Sequence, residues 1–192
     1  MLDTSRQWGK SVSQIGLDHR NRYYFASNRA KGRTLDAACG VGYGSYILAD
    51  VVPLVVGVDI EPEAIEWAQR YFAGPTYLVG TLEDMPWEGE FDTVIAFEII
   101  EHIESPRNTL RVLREACKGT FIASTPNQEV YPFSKERFAK DKYPHYRHYT
   151  PLEFDALLEG AGFVVEDRYC QDKKDGQIRD GVEGQFLIYV CT

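Results

Sequence analysis

The fold follows from one stretch of the sequence, Thr34-Leu-Asp-Ala-Ala-Cys-Gly-Val-Gly-Tyr-Gly-Ser45. A short apolar strand over residues 34–38 runs into a turn with alternate glycines, and a helical pattern begins at residue 43. Such a turn gathers backbone N–H groups, and its missing Cβ atoms let a ligand approach closely. The stretch therefore predicts the first strand, turn and helix of an α/β sheet, with a ligand bound at the turn.

The rest of the chain continues the alternation of strands and helices. A helix that begins near Pro62 places Ile65, Ala68 and Phe72 on one side, as expected of a helix that covers a sheet. We predict a Rossmann-like three-layer α/β sandwich, in which a mainly parallel, seven-stranded sheet ends in an antiparallel C-terminal hairpin strand. The predicted strands after the first are residues 54–58, 76–79, 91–97, 120–124, 163–169 and 185–191.

Length and composition limit the classes of protein to consider. The chain has 192 residues, of which 44% are hydrophobic and 26% charged, as is typical of one globular domain. No apolar run approaches the ~20 residues of a membrane span, and the N-terminus lacks the apolar stretch of a signal peptide. We therefore predict a cytoplasmic protein without membrane contact, and its four widely spaced cysteines as reduced thiols.

The charge is unevenly distributed. The formal net charge is −8, yet residues 1–33 carry seven Lys or Arg against two Asp or Glu. An acidic surface is a poor partner for the phosphate backbone of a nucleic acid, which makes such a partner unexpected. The basic N-terminal segment still suits a small anionic molecule.

The spacing of the turn excludes two common phosphate ligands. A nicotinamide dinucleotide turn has the pattern G-x-G-x-x-G, whereas Ser45 occupies the third glycine position here, and no Gly-Lys-Ser/Thr of a P-loop follows. Asp36, four residues ahead of Gly40, suits a ligand with a positive amino or sulfonium group. Asp59, at the end of the second strand, is placed to accept hydrogen bonds from ribose hydroxyls.

These residues resemble the motifs of the class I S-adenosylmethionine-dependent methyltransferases. Leu35-Asp36-Ala37-Ala38-Cys39-Gly40-Val41-Gly42 is similar to their first motif, with Ala38 in place of the first glycine. Gly57-Val-Asp-Ile60, Gly80-Thr-Leu-Glu-Asp-Met-Pro86 and Phe91-Asp-Thr-Val-Ile-Ala-Phe97 resemble the next three motifs, so the likeness covers nearly the whole chain. It implies S-adenosylmethionine as cofactor and one methyltransferase domain over residues 1–192, with a helical cap (1–33), a cofactor-binding half (34–97) and an acceptor-side half (98–192).

The resemblance also assigns the cofactor contacts. Asp36 and the backbone of the glycine turn would hold the methionine end, Asp59 the ribose, and Ile60 the adenine. Many members have Asp at the position of Thr81 to meet the adenine amino group, which leaves the backbone near Leu82 and the Glu83 side chain for that contact here. The predicted cofactor-binding residues are Tyr23, Asp36, Ala38, Gly40, Gly42, Asp59, Ile60, Leu82, Glu83 and Phe97.

The cap helix has two interpretations. Members of the family commonly close an N-terminal helix over the cofactor, so that Tyr23 or Arg22 would reach the methionine carboxylate. The other interpretation is a solvated basic helix, with His19, Arg20 and Arg22 in water.

A cluster of acids and histidines follows the fourth strand. In Glu98-Ile-Ile-Glu101-His102-Ile103, a short helix would place both carboxylates and the imidazole on one face, and His145 and His148 follow on a loop. The pattern resembles the Glu-x-x-Glu-His of small-RNA 2′-O-methyltransferases and of ubiquinone-pathway O-methyltransferases, where a metal orients the substrate oxygens. Three roles stay open: a site for Mg or another divalent metal formed by Glu98, Glu101, His102 and His148, catalysis by His102 and His148 with a histidine as general base, or a structural role.

The long irregular segment before the last helix is predicted to be a lid over the acceptor. Its aromatic residues would line the acceptor pocket or form a small core of their own: Tyr131, Phe133, Phe138, Tyr143 and Tyr146. We predict a methyltransferase, monomeric or homodimeric, for a small-molecule or sugar/glycan-precursor acceptor, methylated on oxygen. The alternatives are metal-assisted 2′-O-methylation of a nucleic-acid end, and a cofactor-binding regulator without turnover.

Overall fold

A computed structural model describes residues 7–84 and 87–192 of the chain. Its centre is one sheet of eight strands in the order β3-β2-β1-β4-β5-β8-β6-β7. The strands are β1 (Arg33–Ala37), β2 (Leu54–Asp59), β3 (Thr76–Val79), β4 (Phe91–Phe97), β5 (Cys117–Pro126), β6 (Val165–Gln171), β7 (Ile178–Asp180) and β8 (Phe186–Cys191).

Helices connect the parallel strands and cover the sheet. A 3₁₀ turn (Val12–Gln14) precedes the first helix, and another (Ile100–His102) follows β4. The helices are α1 (Leu17–Ser27), α2 (Tyr43–Ala49), α3 (Pro62–Tyr71), α4 (Arg107–Ala116), α5 (Lys135–Phe138) and α6 (Pro151–Gly160).

The strand directions confirm the predicted Rossmann-like sheet. Strands β1 to β5 pair in parallel, whereas β8 pairs antiparallel with both β5 and β6. The number of strands differs from the prediction, because Ile178–Asp180 adds an eighth strand, antiparallel to the end of β6. This strand lies in the polar link between β6 and β8, and three residues are too few to show an alternating pattern in the sequence.

Apolar side chains cover both faces of the sheet, which explains the unbroken apolar run of β4. Val94 and Ala96 belong to the core under α4 and α6, while Ile95 between them belongs to the core under α1 and α2. Successive residues of a strand point to opposite faces, so a strand covered on both sides needs apolar residues throughout.

The predicted apolar face of the helix near Pro62 is confirmed. Ile65, Ala68 and Phe72 are buried together with Cys39 and Tyr77 on the sheet side of α3. Thr150 and Glu153 form a capping box at the start of α6, in which each side chain accepts a hydrogen bond from the other residue's backbone N–H.

The topology also fixes where a ligand site can form. β1 lies between β2 and β4, so the crossover connections turn in opposite directions from this point. Ligands of open α/β sheets bind in the crevice at the carboxyl ends of such strands. No helix in the described part of the chain has the length and apolar character needed to cross a membrane.

Candidate active site

The turn after β1 depends on glycine at two positions. Gly42 has φ +86°, and a Cβ there would overlap Ala68 and the Tyr77 hydroxyl. At Gly44, a Cβ would overlap the ring of Tyr23. These glycines therefore let α3 and α1 approach the start of α2. Gly42 does not line the cleft in front of the sheet, so its predicted contact with the cofactor stays a prediction.

Asp59 connects this turn to the end of β2. Its Oδ2 accepts the Gly40 N–H at 2.8 Å, and its Oδ1 accepts the Glu61 N–H at 2.9 Å. Val58 and Ile60, on either side of Asp59, also line the cleft, and Ile60 is 52% exposed. Each carboxylate oxygen has further lone pairs, so Asp59 remains able to accept ribose hydroxyls.

Asp36 lies beneath the cleft and not on its wall. The carboxylate is fully buried, and it accepts hydrogen bonds from Tyr23 Oη at 3.0 Å and from Ser45 Oγ at 2.6 Å. Burial raises the pKa of Asp36 to about 7, although the two hydroxyl donors act in the opposite direction. In this conformation Asp36 holds α1 and α2 together, and its direct contact with the cofactor stays a prediction.

Arg22 overturns the interpretation of the cap as a solvated helix. The side chain is 2% exposed, and Nη1 lies 2.8 Å from Glu98 Oε1 at the end of β4. Nη2 lies 3.7 Å from Asp18 Oδ2 and has no hydrogen-bond partner among the described residues. Since Arg22 lines the cleft, this buried cation is available to an anionic group of a ligand.

The third motif contributes Leu82 and Thr81 to the cleft wall. Leu82 is 7% exposed, while the Thr81 hydroxyl donates to Asp84 Oδ2 at 2.6 Å. The Glu83 carboxylate accepts a hydrogen bond from the Thr109 hydroxyl of α4, and this residue also lines the cleft. The end of the motif, residues 85–86, and residues 1–6 of the predicted cap lie outside the described residues.

The acids after β4 do not share one face as predicted. Glu98 precedes the 3₁₀ turn and has φ +52°, a left-handed conformation that is strained for a residue with a Cβ. Its N–H donates to the Ser124 carbonyl at 3.2 Å, and its Oε1 accepts Ser124 Oγ at 2.7 Å. Glu98 thus faces Arg22, whereas Glu101 and His102 face the loop that carries the downstream histidines.

His145, and not His148, joins Glu101 and His102. One ligand atom from each of these three residues lies within 4.8 Å of the others. His148 is 2% exposed and bonded at both ring nitrogens, to the Tyr131 carbonyl at 2.6 Å and to His145 Nδ1 at 2.9 Å. The predicted metal set of Glu98, Glu101, His102 and His148 is therefore not assembled, and the predicted catalytic contact of His148 is corrected, because its ring lies behind His145.

Glu101 is the most deeply buried residue of this group. The side chain is fully buried, Oε2 accepts the Thr125 hydroxyl at 3.2 Å, and Oε1 has no hydrogen-bond partner among the described residues. Burial and the nearby Glu98 carboxylate raise the pKa of Glu101 well above its usual range. Burial also lowers the pKa of His145 to about 3, so this imidazole is neutral. Glu101 Oε1 can therefore bind a proton, a cation or a hydrogen-bond donor of a ligand.

One cleft of about 670 Å³ connects the two motif regions, a volume in the range of small-molecule sites. On the cofactor side its wall includes Gly40, Asp59, Ile60, Leu82 and Phe97. On the other side the wall includes Glu98, Glu101, His102, His145 and Phe186. A molecule bound in this cleft can therefore contact both the cofactor motifs and the acids and histidines after β4.

The lid, residues 128–149, closes one side of this cleft. Tyr131, Phe138, Tyr143 and Tyr146 line the cleft, as one interpretation of the sequence predicted. The other interpretation also holds in part, since Phe138 stacks on His145 at 3.9 Å between ring centroids and also on Phe133. The lid is thus a small aromatic core with one face toward the cleft.

Comparison with known proteins identifies the family. The methyltransferase domain family matches residues 13–167 of the chain. The chain belongs to this family, and its fold and relatives place it in the class I S-adenosylmethionine-dependent methyltransferase superfamily.

Individual relatives support the assignment at different ranges. A "probable S-adenosylmethionine-dependent methyltransferase" of Mycolicibacterium smegmatis is 34% identical over 78% of this chain, which spans 59% of that relative's length. A ubiquinone biosynthesis O-methyltransferase of Xanthomonas euvesicatoria pv. vesicatoria is 29% identical over 85% of this chain and 77% of that protein. The crystal structure of a Thermotoga maritima methyltransferase, described as a possible histamine N-methyltransferase, has TM-score 0.73 at 22% identity and covers 92% of this chain and 91% of that chain. This structural likeness shows the fold.

Proposed function

We propose that the protein is an S-adenosylmethionine-dependent O-methyltransferase for a small-molecule acceptor, with His102 as the general base. The observation that carries the proposal is the single cleft that joins the family's cofactor motifs to His102. The ubiquinone biosynthesis relatives support oxygen as the methylated atom. The aromatic face of the lid supports a small organic acceptor in preference to a polyanion.

The residues of the cleft fit the cofactor. The half-exposed Ile60 provides an apolar surface for adenine, and Asp59 provides acceptors for the ribose. Arg22 Nη2, which has no hydrogen-bond partner among the described residues, provides a donor for the methionine carboxylate. When bound, S-adenosylmethionine supplies a methyl group on a positive sulfonium. Glu98 places a carboxylate near the end of β4, which favours a positively charged ligand. Such a ligand would also lower the raised pKa of the buried Glu101 carboxyl.

His102 is placed to remove the proton of an acceptor hydroxyl. Its Nδ1 donates to the Tyr143 carbonyl at 2.8 Å, which leaves the lone pair of the neutral ring on Nε2. General base catalysis of this kind contributes about 10²–10⁴-fold to a rate. The rest of the acceleration would come from alignment of the acceptor oxygen with the methyl group.

A second candidate for the same step is a divalent metal. Glu101, His102 and His145 bring three ligand atoms together, one carboxylate oxygen and two imidazole nitrogens. An ion there would lower the pKa of an acceptor hydroxyl and leave no need for a histidine base. This ligand set differs from the one predicted from the sequence and shares only Glu101 and His102 with it.

Binding and turnover test the proposal in sequence. Isothermal titration with S-adenosylmethionine should show one site per chain, and no heat at millimolar cofactor would overturn the proposal. Product formation with panels of phenols, sugars and short RNA is then assayed with and without chelator. Activity that survives chelation supports the histidine base, and activity restored only by added metal supports the metal. Binding without turnover on any panel would favour a regulator.

A substitution at His102 separates the base from its structural contact. In His102→Asn the side-chain amide retains a donor for the Tyr143 carbonyl but has no basic nitrogen. We expect activity to fall at least about 100-fold while cofactor affinity and melting temperature stay near the wild-type values. Wild-type activity in this variant would remove His102 from the mechanism.

A further inference from the structure

Tyr143 of the lid contacts both sides of the cleft. Its hydroxyl donates to Glu61 Oε2 at 2.8 Å, and its carbonyl accepts the His102 Nδ1–H at 2.8 Å. One residue therefore bridges the loop after β2, which belongs to the cofactor side, and the imidazole after β4, which belongs to the acceptor side.

The carbonyl contact determines the tautomer of His102. A carbonyl oxygen accepts hydrogen bonds and cannot donate them, so Nδ1 must carry the proton when it bonds to Tyr143. In the neutral ring the basic lone pair is then on Nε2. The orientation is the one needed whether His102 acts as a base or as a metal ligand.

The hydroxyl contact is made to a rigid partner. Glu61 is the N-cap residue of α3, is 9% exposed, and donates its own N–H to Asp59 Oδ1 at 2.9 Å. The Lys142 ammonium pairs with the same Glu61 carboxylate, and Pro144 disfavours a helical backbone at Tyr143. The Tyr143 side chain is thus anchored to Glu61, which directly follows Asp59 and Ile60, the residues predicted to contact ribose and adenine.

The lid also docks on the 3₁₀ turn through its backbone. The Tyr146 N–H donates to the Glu101 carbonyl at 2.7 Å, next to the His102 contact. The Tyr146–Glu101 and Tyr143–His102 bonds attach the segment to the acceptor side of the cleft, and the Tyr143–Glu61 bond attaches it to the cofactor side. Loss of the Tyr143–Glu61 bond would leave that end of the segment held only by the partly exposed Lys142 ion pair, while the end at Tyr146 stays attached.

We propose that Tyr143 is a positioning residue, which holds His102 in its Nδ1–H tautomer through its carbonyl and is itself held in place by Glu61. The role rests on the proposed function of His102, but the tautomer is an independent property of the folded protein. It makes the alignment of the acceptor-side imidazole depend on a residue of the cofactor side.

Nuclear magnetic resonance tests the positioning directly. The chain contains four histidines, so ¹⁵N-histidine labelling of the metal-free protein gives few signals, and His102→Asn assigns the one of interest. We expect the wild type to show His102 protonated on Nδ1, and Tyr143→Phe to shift it to a mixture of both tautomers. An unchanged Nδ1–H signal in Tyr143→Phe would overturn the proposal.

Kinetics provide the second measurement. We expect Tyr143→Phe to lower kcat about tenfold with a cofactor Kd within about twofold of wild type, because the misplaced base affects the reaction more than binding. Glu61→Ala should lower kcat at least as much, because it also removes the Lys142 ion pair, and Tyr143→Phe added to Glu61→Ala should have no further effect. Tyr24→Phe, on the exposed face of α1, is the matched control and should retain wild-type kcat.

The outcomes separate this inference from the proposed function. Additive losses in the Glu61→Ala, Tyr143→Phe cycle would overturn the positioning role. A tautomer shift in Tyr143→Phe together with full activity of His102→Asn would support the positioning of His102 and overturn its role as base.

Discussion

The turns after β1 and β4 share a design at the carboxyl ends of two neighbouring strands. Across residues 7–84 and 87–192, the only residues other than glycine with positive φ are Ala38 (φ 60°) and Glu98 (φ 52°), one in each turn. In each turn a backbone N–H donates a hydrogen bond to a neighbouring strand. The Cys39 N–H donates to the Val58 carbonyl of β2, and the Glu98 N–H donates to the Ser124 carbonyl of β5. A fully buried carboxylate of raised pKa lies next to or within each turn, Asp36 near the end of β1 and Glu101 in the 3₁₀ turn after β4.

The two turns differ in how their buried carboxylates are satisfied. Both oxygens of Asp36 accept hydrogen bonds from hydroxyls of the protein, whereas Oε1 of Glu101 has no hydrogen-bond partner among the described residues. An unmade hydrogen bond at a buried acceptor costs about 1–3 kcal/mol unless a ligand or proton supplies it. The first turn therefore satisfies its own carboxylate, whereas the second leaves one acceptor oxygen to a proton or to a ligand in the cleft.

The largest expected effect comes from Arg22, which connects α1 to the turn after β4. Arg22→Met leaves the Glu98 carboxylate without its buried partner, and we expect the free energy of unfolding to fall by about 3 kcal/mol in urea titrations. Arg33→Met is the control, because the Arg33–Glu90 pair is partly exposed, unlike that of Arg22, and should contribute at most about 1 kcal/mol. Equal losses in both variants would mean that the Arg22 pair has no special role.

Asp36→Asn tests the satisfied carboxylate. At pH 5 the buried carboxyl is protonated and carries one O–H, whereas the amide of Asn brings two N–H groups between the Tyr23 and Ser45 hydroxyls, so we expect a loss of about 1–2 kcal/mol at pH 5. Because the folded-state pKa is raised to about 7, ionisation is unfavourable in the folded protein, and the stability that wild-type Asp36 contributes falls as pH rises from about 4 to about 7.

The difference between wild type and Asp36→Asn should therefore shrink as the pH rises toward 7. Burial lowers the pKa of His19 to about 4, which makes stability rise with pH over part of the same range. Both proteins contain His19, so its contribution cancels in the difference. A difference that grows between pH 5 and pH 8 would contradict the raised pKa of Asp36.

Ala38→Gly should stabilise the protein slightly. Glycine relieves the left-handed strain of about 1–2 kcal/mol at this position, but it also increases the entropy of the unfolded chain. We expect a net gain of about 0.5 kcal/mol, measured as a higher urea midpoint with an unchanged slope. A loss of stability would show that the Ala38 methyl group makes a packing contact that outweighs the strain.

Glu101→Gln should have the smallest effect on stability. The amide oxygen can still accept the Thr125 hydroxyl, and the amide N–H takes the place of the proton that the raised pKa favours. We expect a change below about 0.5 kcal/mol, in contrast to Asp36→Asn. A loss as large as that of Asp36→Asn would mean that Glu101 is a structural carboxylate as well.

The positions of the cofactor motifs at the strand ends could be predicted from the sequence because they depend on patterns that are local in the chain. The glycine turn, Asp59 and Ile60 each follow directly from a strand whose apolar pattern is clear, and the sheet brings adjacent strand ends together. Which of the two lid histidines lines the cleft could not be predicted in this way. His145 and His148 are three residues apart on an irregular loop, and no periodicity distinguishes the one that faces Glu101.

The bridging residues were also missed, since the signals that would identify them are weak. Glu61 carries the pattern of an ordinary helix start, and Tyr143 is one of several aromatic residues in the lid. Only their hydrogen bond, between residues 82 positions apart, reveals the connection.

By itself, the sequence determined the α/β fold, the order of the motifs and the side of the sheet at which a ligand binds. These properties depend on periodicity and on turn chemistry, which act over a few residues. The tertiary structure decided which acids and histidines meet, because burial, tautomer and pairing depend on groups that only the folded chain brings together. Arg22 shows the difference most clearly: a basic residue on a helix of no distinctive pattern becomes a buried cation in the wall of the cleft.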